Sequence, residues 1–486
     1  MRIVILGAGQ VGSSVAQSLV SESNDITVVD TDRACLENLQ IRYDLRTVVG
    51  NAVLPSTLQD AGIEDADMLI ALTRSDQTNL VACKIAHSLF RVPTRIARLR
   101  SREYFDRPQL LDDDNFAVSY ALCPEQVITD YLIKLVDFPE ALQVLSFASG
   151  LVSLIGVRVY ADGLMVGRPL KELGSHLGDG VEARIAAIYR RDHAITPSGD
   201  TIVEAGDEVF VLAAEAHIRR VMVELRRMTT PVKRVIIAGG GNIGLRVARR
   251  LEGRCMIKLI DHNAGRSQFI ANQLGNGLVL LGDATDEDLL QQEAIDESDL
   301  FMALTNDDED NIMSASLAKN LGCKRVLALI NRRAYAELVQ GGPIDIAISP
   351  ALVSIGDLLT RVRRGFVVKV HRLRRGAAEA IELVVHGDRK SSRVVGRMVG
   401  ELPPIEGAIV AAIVRGSAAD APGNPSGYEA SDKAGKGRGA DRAQGGDDRE
   451  RRPRHRLLHG HEGGQEGREA VRSRVPLLLS IPPCAA

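Results

Sequence analysis

The chain has 486 residues, of which 45% are hydrophobic and 3% aromatic, and its formal net charge at pH 7 is −3. This length predicts roughly two to four domains. The near-neutral charge excludes a molecule-wide attraction for nucleic acid, so we expect no nucleic-acid partner.

The chain begins with the apolar strand "RIVIL", which leads into a glycine-rich turn and then a helical pattern. Further apolar strands, "ITVVD", "TVVG", "MLIALT" and "RIARLR", alternate with helical segments. Strands that are apolar throughout are typical of parallel sheets covered on both faces. We therefore predict a doubly wound α/β domain, a Rossmann fold, over residues 1–125. The GxGxxG spacing of the turn lets the backbone approach a pyrophosphate at a helix N-terminus; its residues are Gly7, Ala8, Gly9, Gln10, Val11 and Gly12.

Polar residues close the strands of this predicted sheet. Asp30 ends the second strand, where a carboxylate bonds the adenosine ribose and favours NAD over NADP. Asn51 ends the third strand and either faces the adenine or caps the next helix. Thr73 ends the fourth strand, and Arg98, with Arg100 nearby, is placed to neutralise phosphate oxygens. The alternative is that the glycines form only a tight turn.

A smaller module follows, which we place at residues 140–226. It opens with Ala141–Val157, a stretch without charge for 17 residues. This is slightly shorter than the roughly 20 residues of a spanning helix, and Ser, Gly and Gln interrupt it. We therefore predict two short strands that meet near Ser149 and Gly150, within a compact α+β module. The strand that starts at the N-terminus leaves no room for a signal peptide, and six scattered cysteines fit a reducing cytosol.

The second half repeats this plan. Gly7 and Gly239 lie 232 positions apart, and the same offset joins "ALTRSD" at 71–76 to "ALTNDD" at 303–308. Such a repeat predicts a second nucleotide-binding domain at 231–352. Its strand "RVLALI" lacks an internal arginine, so we expect the second pocket to hold an anion differently or less tightly. The residues of this domain that we expect to contact the nucleotide are Gly239, Gly240, Gly241, Asn242, Ile243, Gly244, Asp261, Asp283 and Thr305.

The repeat then stops early. A partial copy of the small module covers 366–416 and ends after "VAAIVRG". Residues 417–486 are rich in Gly, Ala, Arg and Asp, a composition that buries too little apolar surface to fold, so we expect a disordered tail. We hypothesise a reading-frame change near codon 416.

Residues for catalysis are not evident. The sequence has no GxSxG, P-loop lysine or HExxH motif, and neither His87 nor His262 has an acidic partner nearby in the repeat pattern. We therefore predict a nucleotide-binding protein that is not an enzyme.

Taken together, these features resemble the TrkA family of potassium-uptake regulators, built from two RCK units. The stretches that carry the resemblance include "ILGAGQVG", "DADMLIALTRSDQTNLVACKIAHSLF", "TRIARLRSREY" and "RRGAAEAIELVVHGD", and the likeness extends to about residue 415. It implies a Rossmann domain and a smaller RCK C-terminal domain in each unit, the second one truncated.

The resemblance also implies function. TrkA-like proteins lie on the cytoplasmic face of the inner membrane, bind NAD(H) and in some members ATP or ADP, and form dimers or tetrameric rings. They regulate a TrkH/TrkG-type potassium-translocating subunit, so membrane association is peripheral. Two alternatives remain, an NAD-dependent oxidoreductase and a regulator of another potassium transporter, such as an efflux antiporter. The implied nucleotide contacts are Gly7–Val11, Asp30, Thr73 and Arg98, then Gly239–Ile243, Asp261 and Thr305.

Overall fold

A computed structural model describes residues 1–20, 24–178, 180–191, 193–226, 231–339, 342–362, 367–374, 377–385, 389–403, 408–415 and 474–480. Along the chain, a six-stranded parallel sheet is followed by a five-stranded antiparallel sheet, and a second six-stranded parallel sheet is followed by a four-stranded one. The predicted fold class, two α/β domains each followed by a smaller module, is confirmed.

The first α/β domain has helices on both faces of its sheet. Its elements are β1 (Arg2–Leu6), α1 (Gln10–Val20), β2 (Asp25–Asp30), α2 (Arg33–Arg42), β3 (Arg46–Val49), α3 (Pro55–Asp60), β4 (Met68–Ala71), α4 (Asp76–Ser88), β5 (Thr94–Arg98), α5 (Arg102–Phe105), β6 (Tyr120–Leu122) and α6 (Pro124–Asp137). The strand order is β3-β2-β1-β4-β5-β6. Along β1, Ile3 and Ile5 enter the core on one face while Val4 and Leu6 enter the core on the other. Strand order reverses between β1 and β4, and ligands of open α/β sheets bind at that edge.

The second α/β domain repeats this topology, with order β14-β13-β12-β15-β16-β17. Its elements are β12 (Arg234–Ala238), α9 (Asn242–Leu251), β13 (Met256–Asp261), α10 (Ala264–Ala271), β14 (Leu278–Leu281), α11 (Glu287–Gln292), β15 (Leu300–Ala303), α12 (Asp308–Asn320), β16 (Val326–Leu329), α13 (Arg333–Leu338), β17 (Ile346–Ile348) and α14 (Pro350–Val362).

Each sheet ends in a long helix that crosses to the other half. Helix α6 packs against α9, and α14 packs against α1. In the second of these contacts Ile355 and Leu359 share one buried core with Val15 and Leu19. The two helices that follow the glycine turns therefore lie in the interface between the halves.

The first small module is an antiparallel sheet of order β10-β9-β11-β8-β7 with two helices. Its elements are β7 (Ala141–Phe147), β8 (Val152–Arg158), α7 (Leu173–Leu177), β9 (Ala183–Arg190), β10 (His193–Ile195), β11 (Glu208–Ala214) and α8 (Ile218–Leu225). The uncharged stretch from Ala141 forms the hairpin β7–β8, as predicted. Among the described residues, no helix combines the length and the apolar character needed to cross a bilayer.

The second small module contains β18 (Val367–Leu373), β19 (Ala378–Leu383), β20 (Ala408–Arg415) and β21 (Arg474–Ser480), in the order β18-β19-β21-β20. The expectation of a disordered tail falls mostly on 417–473 and 481–486, which lie outside the described residues. It is corrected at Arg474–Ser480, where a short apolar sequence pairs with β19 and β20. This strand occupies the place that β11 has between β8 and β9.

Candidate functional site

The first glycine turn connects β1 to α1, and two of its glycines are required by close packing. Gly7 has a φ of +102°, and a Cβ on it would lie 3.0 Å from the Leu72 carbonyl oxygen. A Cβ on Gly12 would lie 1.9 Å from the Gly7 carbonyl oxygen. Gly9 differs, since a Cβ there would meet no protein atom within 4 Å. The backbone is therefore open beside Gly9, where a pyrophosphate approaches in this fold.

The second turn has the same geometry between β12 and α9. Gly239 has a φ of +101°, and a Cβ on Gly244 would lie 2.0 Å from the Gly239 carbonyl oxygen. The space beside Gly241 is open to 4 Å. Helix α1 begins at Gln10 and α9 at Asn242, so Gln10 and Val11, like Asn242 and Ile243, present first-turn N–H groups to this space.

A carboxylate stands beside each turn, as the sequence predicts. The Ala8 N–H donates to Asp30 Oδ2 at 2.5 Å, and the Asp32 N–H donates to Oδ1 at 2.9 Å. Asp261 receives the Gly240 N–H at 2.7 Å and the Asn263 N–H at 2.9 Å. These bonds fix each carboxylate at the end of the second strand of its sheet. Oδ2 of Asp30 and both carboxylate oxygens of Asp261 keep a further lone pair that can accept from a ribose hydroxyl.

Asn51 and Asp283 are exposed at the ends of β3 and β14. Asn51 Oδ1 accepts from the Val53 N–H at 3.2 Å, and Asp283 Oδ1 accepts from the Thr285 N–H at 2.8 Å. These bonds hold local turns, whereas the following helices α3 and α11 begin after Leu54 and Asp286. The helix-capping alternative is therefore wrong for Asn51, and Asp283 does not cap the next helix either. The Thr285 backbone and hydroxyl bonds lower the pKa of Asp283.

Thr73 and Thr305 follow β4 and β15 at the carboxyl edge, and each is tied to a buried asparagine. The Thr73 hydroxyl donates to Asn79 Oδ1 at 2.7 Å, and Asn79 Nδ2 donates to the Arg98 carbonyl at 2.8 Å. The same bonds join Thr305 to Asn311, at 2.8 Å, and Asn311 to the Leu329 carbonyl, at 2.9 Å. The threonine hydroxyls therefore stabilise the edge of each sheet.

Aspartates at the start of α4 and α12 complete this edge. Asp76 accepts the backbone N–H groups of Arg100 and Ser101, and Asp308 accepts those of Asn331 and Arg332. The carbonyl and N–H bonds together align Arg98 with Leu329 and Arg100 with Asn331. The second pocket thus has neither arginine, which agrees with the expectation from the sequence.

Arg98 and Arg100 converge on one carboxylate. Arg98 Nη2 lies 2.8 Å from Glu125 Oε1, and Arg100 Nε lies 3.6 Å from the same oxygen. The side chains of Arg98 and Glu125 are 13% and 11% exposed. The Nε atoms of both arginines are buried, with no hydrogen-bond partner among the described residues. Two guanidinium groups thus share one negative charge, and a phosphate can supply a second.

The second pocket carries more negative charge at equivalent positions. The first half has Arg74, Ser75, Gln77 and Thr78, where the second half has Asn306, Asp307, Glu309 and Asp310. Burial and the neighbouring Asp307 and Asp283 raise the pKa of Asp310. Arg332 offsets part of this charge by pairing with Glu309 at 2.6 Å. Like charges disfavour a polyphosphate, so the two pockets differ in electrostatics although their turns match.

The two sites are joined by polar contacts between the halves. Arg246 of α9 donates to Gln126 Oε1 at 2.8 Å and to the Arg100 carbonyl at 2.9 Å. Further along the helices, Arg250 pairs with Asp130 at 3.3 Å. Helix α9, which follows the second glycine turn, therefore contacts the segment after β5 that carries Arg100 of the first pocket. Sequence reasoning missed Glu125 and Arg246, because neither lies in a repeated motif.

Comparisons with known proteins agree with this geometry. The TrkA-N domain model matches residues 3–114 and 235–350, and the TrkA-C domain model matches 154–226. The chain is 52% identical over 416 residues to the Trk system potassium uptake protein TrkA of Halomonas elongata, across 86% of this chain and 91% of that protein. It is 50% identical over 417 residues to the protein of the same name from Vibrio alginolyticus, with the same coverage.

Solved structures with this fold are more distant. The crystal structure of the GsuK RCK domain aligns with a TM-score of 0.56 at 19% identity, covering 74% of this chain and 75% of that one. The GsuK channel bound to NAD aligns with a TM-score of 0.56 at 18% identity, covering 79% and 67%. At such identities the likeness concerns the fold.

Proposed function

The chain belongs to the family of the Trk system potassium uptake protein TrkA, and we propose that it is the nucleotide-binding regulatory subunit of a Trk-type potassium uptake system. NAD(H) binds in the two pockets, and ATP or ADP competes in the first. Potassium crosses the membrane through a separate subunit of the TrkH/TrkG type. The regulatory chain acts as a homo-oligomer, a dimer or tetrameric ring, on the cytoplasmic face of that subunit.

The observation that carries the proposal is the position of the glycine-turn helices. Helices α1 and α9 begin at the phosphate-binding turns and pack against the crossing helices α14 and α6 of the opposite halves. A ligand at either turn therefore contacts an element of the interface. A nucleotide that binds one arrangement of the halves more tightly shifts the equilibrium by that difference, typically about 1–3 kcal/mol for allosteric coupling.

The arginine pair supplies a second route for this coupling in the first pocket. A phosphate that engages Arg98 competes with Glu125, which lies in the first turn of α6. Helix α6 packs against α9 of the second half and against β7 of the first small module. A change at Glu125 is therefore transmitted to both. Regulation by binding requires no chemical step, which accounts for two pockets without catalytic groups.

The electrostatic difference between the pockets predicts different ligands. The first pocket, with Arg98 and Arg100, favours a ligand with more phosphate charge, such as ATP or ADP. The second pocket, with Leu329 and the acidic residues of α12, favours the less charged dinucleotide. In both, Asp30 and Asp261 repel a 2′-phosphate, which favours NAD(H) over NADP(H).

Isothermal titration with NAD, NADH, ATP and ADP tests the proposal. We expect Asp30→Ala to abolish binding at the first pocket alone, and Asp261→Ala at the second alone. Failure of the unaltered chain to bind any of these nucleotides would overturn the proposal. Oxidation or reduction of bound nicotinamide with a small-molecule panel would favour the oxidoreductase alternative. Co-purification with an efflux antiporter instead of a TrkH-type subunit would favour the second alternative, a regulator of another potassium transporter.

A further inference from the structure

A large cavity lies between the crossing helix α6, strand β7 of the first small module and strand β18 of the second. Its volume is about 1360 Å³, and residues of the second α/β domain line its far side. No residue of either glycine turn lines it. Among the residues that the structure describes, nine lysines and arginines line the cavity against five aspartates and glutamates, and Arg372 pairs with a further carboxylate, Glu379. Charges in a cleft with protein walls interact more strongly than in water, so this excess favours an anionic occupant.

Two ammonium groups in this cavity converge on one residue. Lys134 Nζ, from α6, donates to Ser146 Oγ at 2.8 Å. Lys369 Nζ, from β18, donates to the Ser146 carbonyl oxygen at 2.9 Å. An ammonium has three N–H donors, and these bonds use one on each side chain. Across the described ranges, neither lysine forms an ion pair, so further donors of both groups remain for a ligand.

The nearby carboxylates are engaged elsewhere. Glu382, opposite Lys369 in the sheet, accepts the Ala148 N–H at 3.0 Å. Glu215 accepts the Ser153 hydroxyl, and Asp130 pairs with Arg250. Burial and the neighbouring Lys369 lower the pKa of Lys134, although Glu215 and Asp130 act in the opposite direction. Within the described residues, the two cations therefore repel each other without a direct counter-ion.

A histidine completes the cluster. His371 lies two residues after Lys369 on β18 and lines the same cavity. Its Nε2 is buried and has no hydrogen-bond partner in the described part of the chain. The ring packs edge-on against Phe147, with 5.1 Å between ring centroids. A buried nitrogen without a partner costs free energy, and a ligand oxygen can satisfy it.

We propose that Lys134 and Lys369, with His371, bind a phosphate group in this cavity, at a third site separate from the two glycine turns. The cavity is large enough for the phosphate to belong either to the free inorganic ion or to a phosphorylated small molecule. Lys134 comes from the first half and Lys369 from the second. A bound phosphate therefore links the halves and strengthens their contact at the small modules.

The test compares phosphate affinities of the full-length chain and two variants. Binding of inorganic phosphate and of ribose 5-phosphate is followed by ³¹P NMR line broadening. We expect the double variant K134Q/K369Q to bind the preferred ligand at least about tenfold more weakly, because it loses two charge-assisted hydrogen bonds. The control K233Q removes an exposed lysine outside the cavity and leaves the affinity unchanged. Equal affinities in all three proteins would overturn the proposal.

A second measurement covers the case in which the double variant does not fold. Acylation of the unaltered chain with acetic anhydride, mapped by mass spectrometry, reports the reactivity of each lysine. Phosphate is expected to slow acylation of Lys134 and Lys369 but not of Lys233. Equal rates with and without phosphate at Lys134 and Lys369 would contradict the site. The phosphate source is the ligand that protects at the lower concentration.

Discussion

The pair Gly9→Ala and Gly12→Ala separates the ligand-binding part of the first turn from its structural part. In Gly12→Ala, the new Cβ would lie 1.9 Å from the Gly7 carbonyl oxygen. Ordinary contact needs about 3.2 Å, so strand and helix must separate by roughly 1.3 Å, and such overpacking typically costs about 1–3 kcal/mol of stability. In Gly9→Ala the Cβ meets no protein atom within 4 Å, and Gly9 has no positive φ. Its effect on stability is therefore within about 1 kcal/mol.

Nucleotide affinity, unlike stability, should depend mainly on Gly9. The Gly9→Ala methyl occupies the space that the pyrophosphate approaches, so we expect at least about a tenfold loss of affinity, or 1.4 kcal/mol, with little change in stability. Urea unfolding measures stability and calorimetric titration measures affinity. Gly241→Ala and Gly244→Ala are the matched pair in the second half, where Gly241 has a φ of −61°. Normal nucleotide affinity in the chain carrying both Gly9→Ala and Gly241→Ala would refute the assignment of the two glycine turns as phosphate-binding sites.

Three further predictions follow from individual contacts. Arg98→Gln should weaken ATP binding by about 1.5–3 kcal/mol, the range for hydrogen bonds to charged groups, and NAD binding less; calorimetry that finds equal effects on both nucleotides would contradict this. Arg246→Gln removes bonds between the halves, so it should reduce the effect of ligand at one pocket on affinity at the other; unchanged coupling in sequential titrations would count against the contact. Burial, with Lys369 and Lys134 acting in the same direction, lowers the pKa of His371 from 6.5 to about 3. Because the unfolded chain takes up the proton first, stability should fall as pH decreases from about 6.5 toward 3, by up to about 1.4 kcal/mol per pH unit. Urea unfolding at pH 7 and 5 should show a smaller fall for His371→Gln, and equal falls would refute this.

The sequence predicts most of the fold because its information is local and repeated. Each structural signal lies within about 25 residues of sequence: the apolar strands such as β1, the glycine spacing, and the acids Asp30 and Asp261. The repeat at a constant offset shows that the pattern occurs twice. The absence of Arg98's counterpart was also visible in the sequence, and the structure places Leu329 there.

Contacts between the halves were not predictable in the same way. Glu125 is 27 residues from Arg98, and Arg246 is 146 residues from Arg100. No repeat connects these residues, since the crossing helices depart from the offset that relates the sheets. Asn79 and Asn311 also lie 232 positions apart, but a buried amide that ties two strand ends has no distinct sequence signature. At Arg474–Ser480 composition argued for disorder, while pairing with two strands stabilises the segment.

In the proposed function, nucleotide occupancy of the two glycine turns controls potassium movement through a partner. The direct measurement is potassium flux into vesicles that contain a TrkH-type subunit, titrated with NADH and ATP in the presence of this chain. We expect a nucleotide-dependent flux that disappears with the chain carrying Gly9→Ala and Gly241→Ala. A potassium flux that does not change with nucleotide concentration, or that changes equally with this variant, would contradict the proposed function.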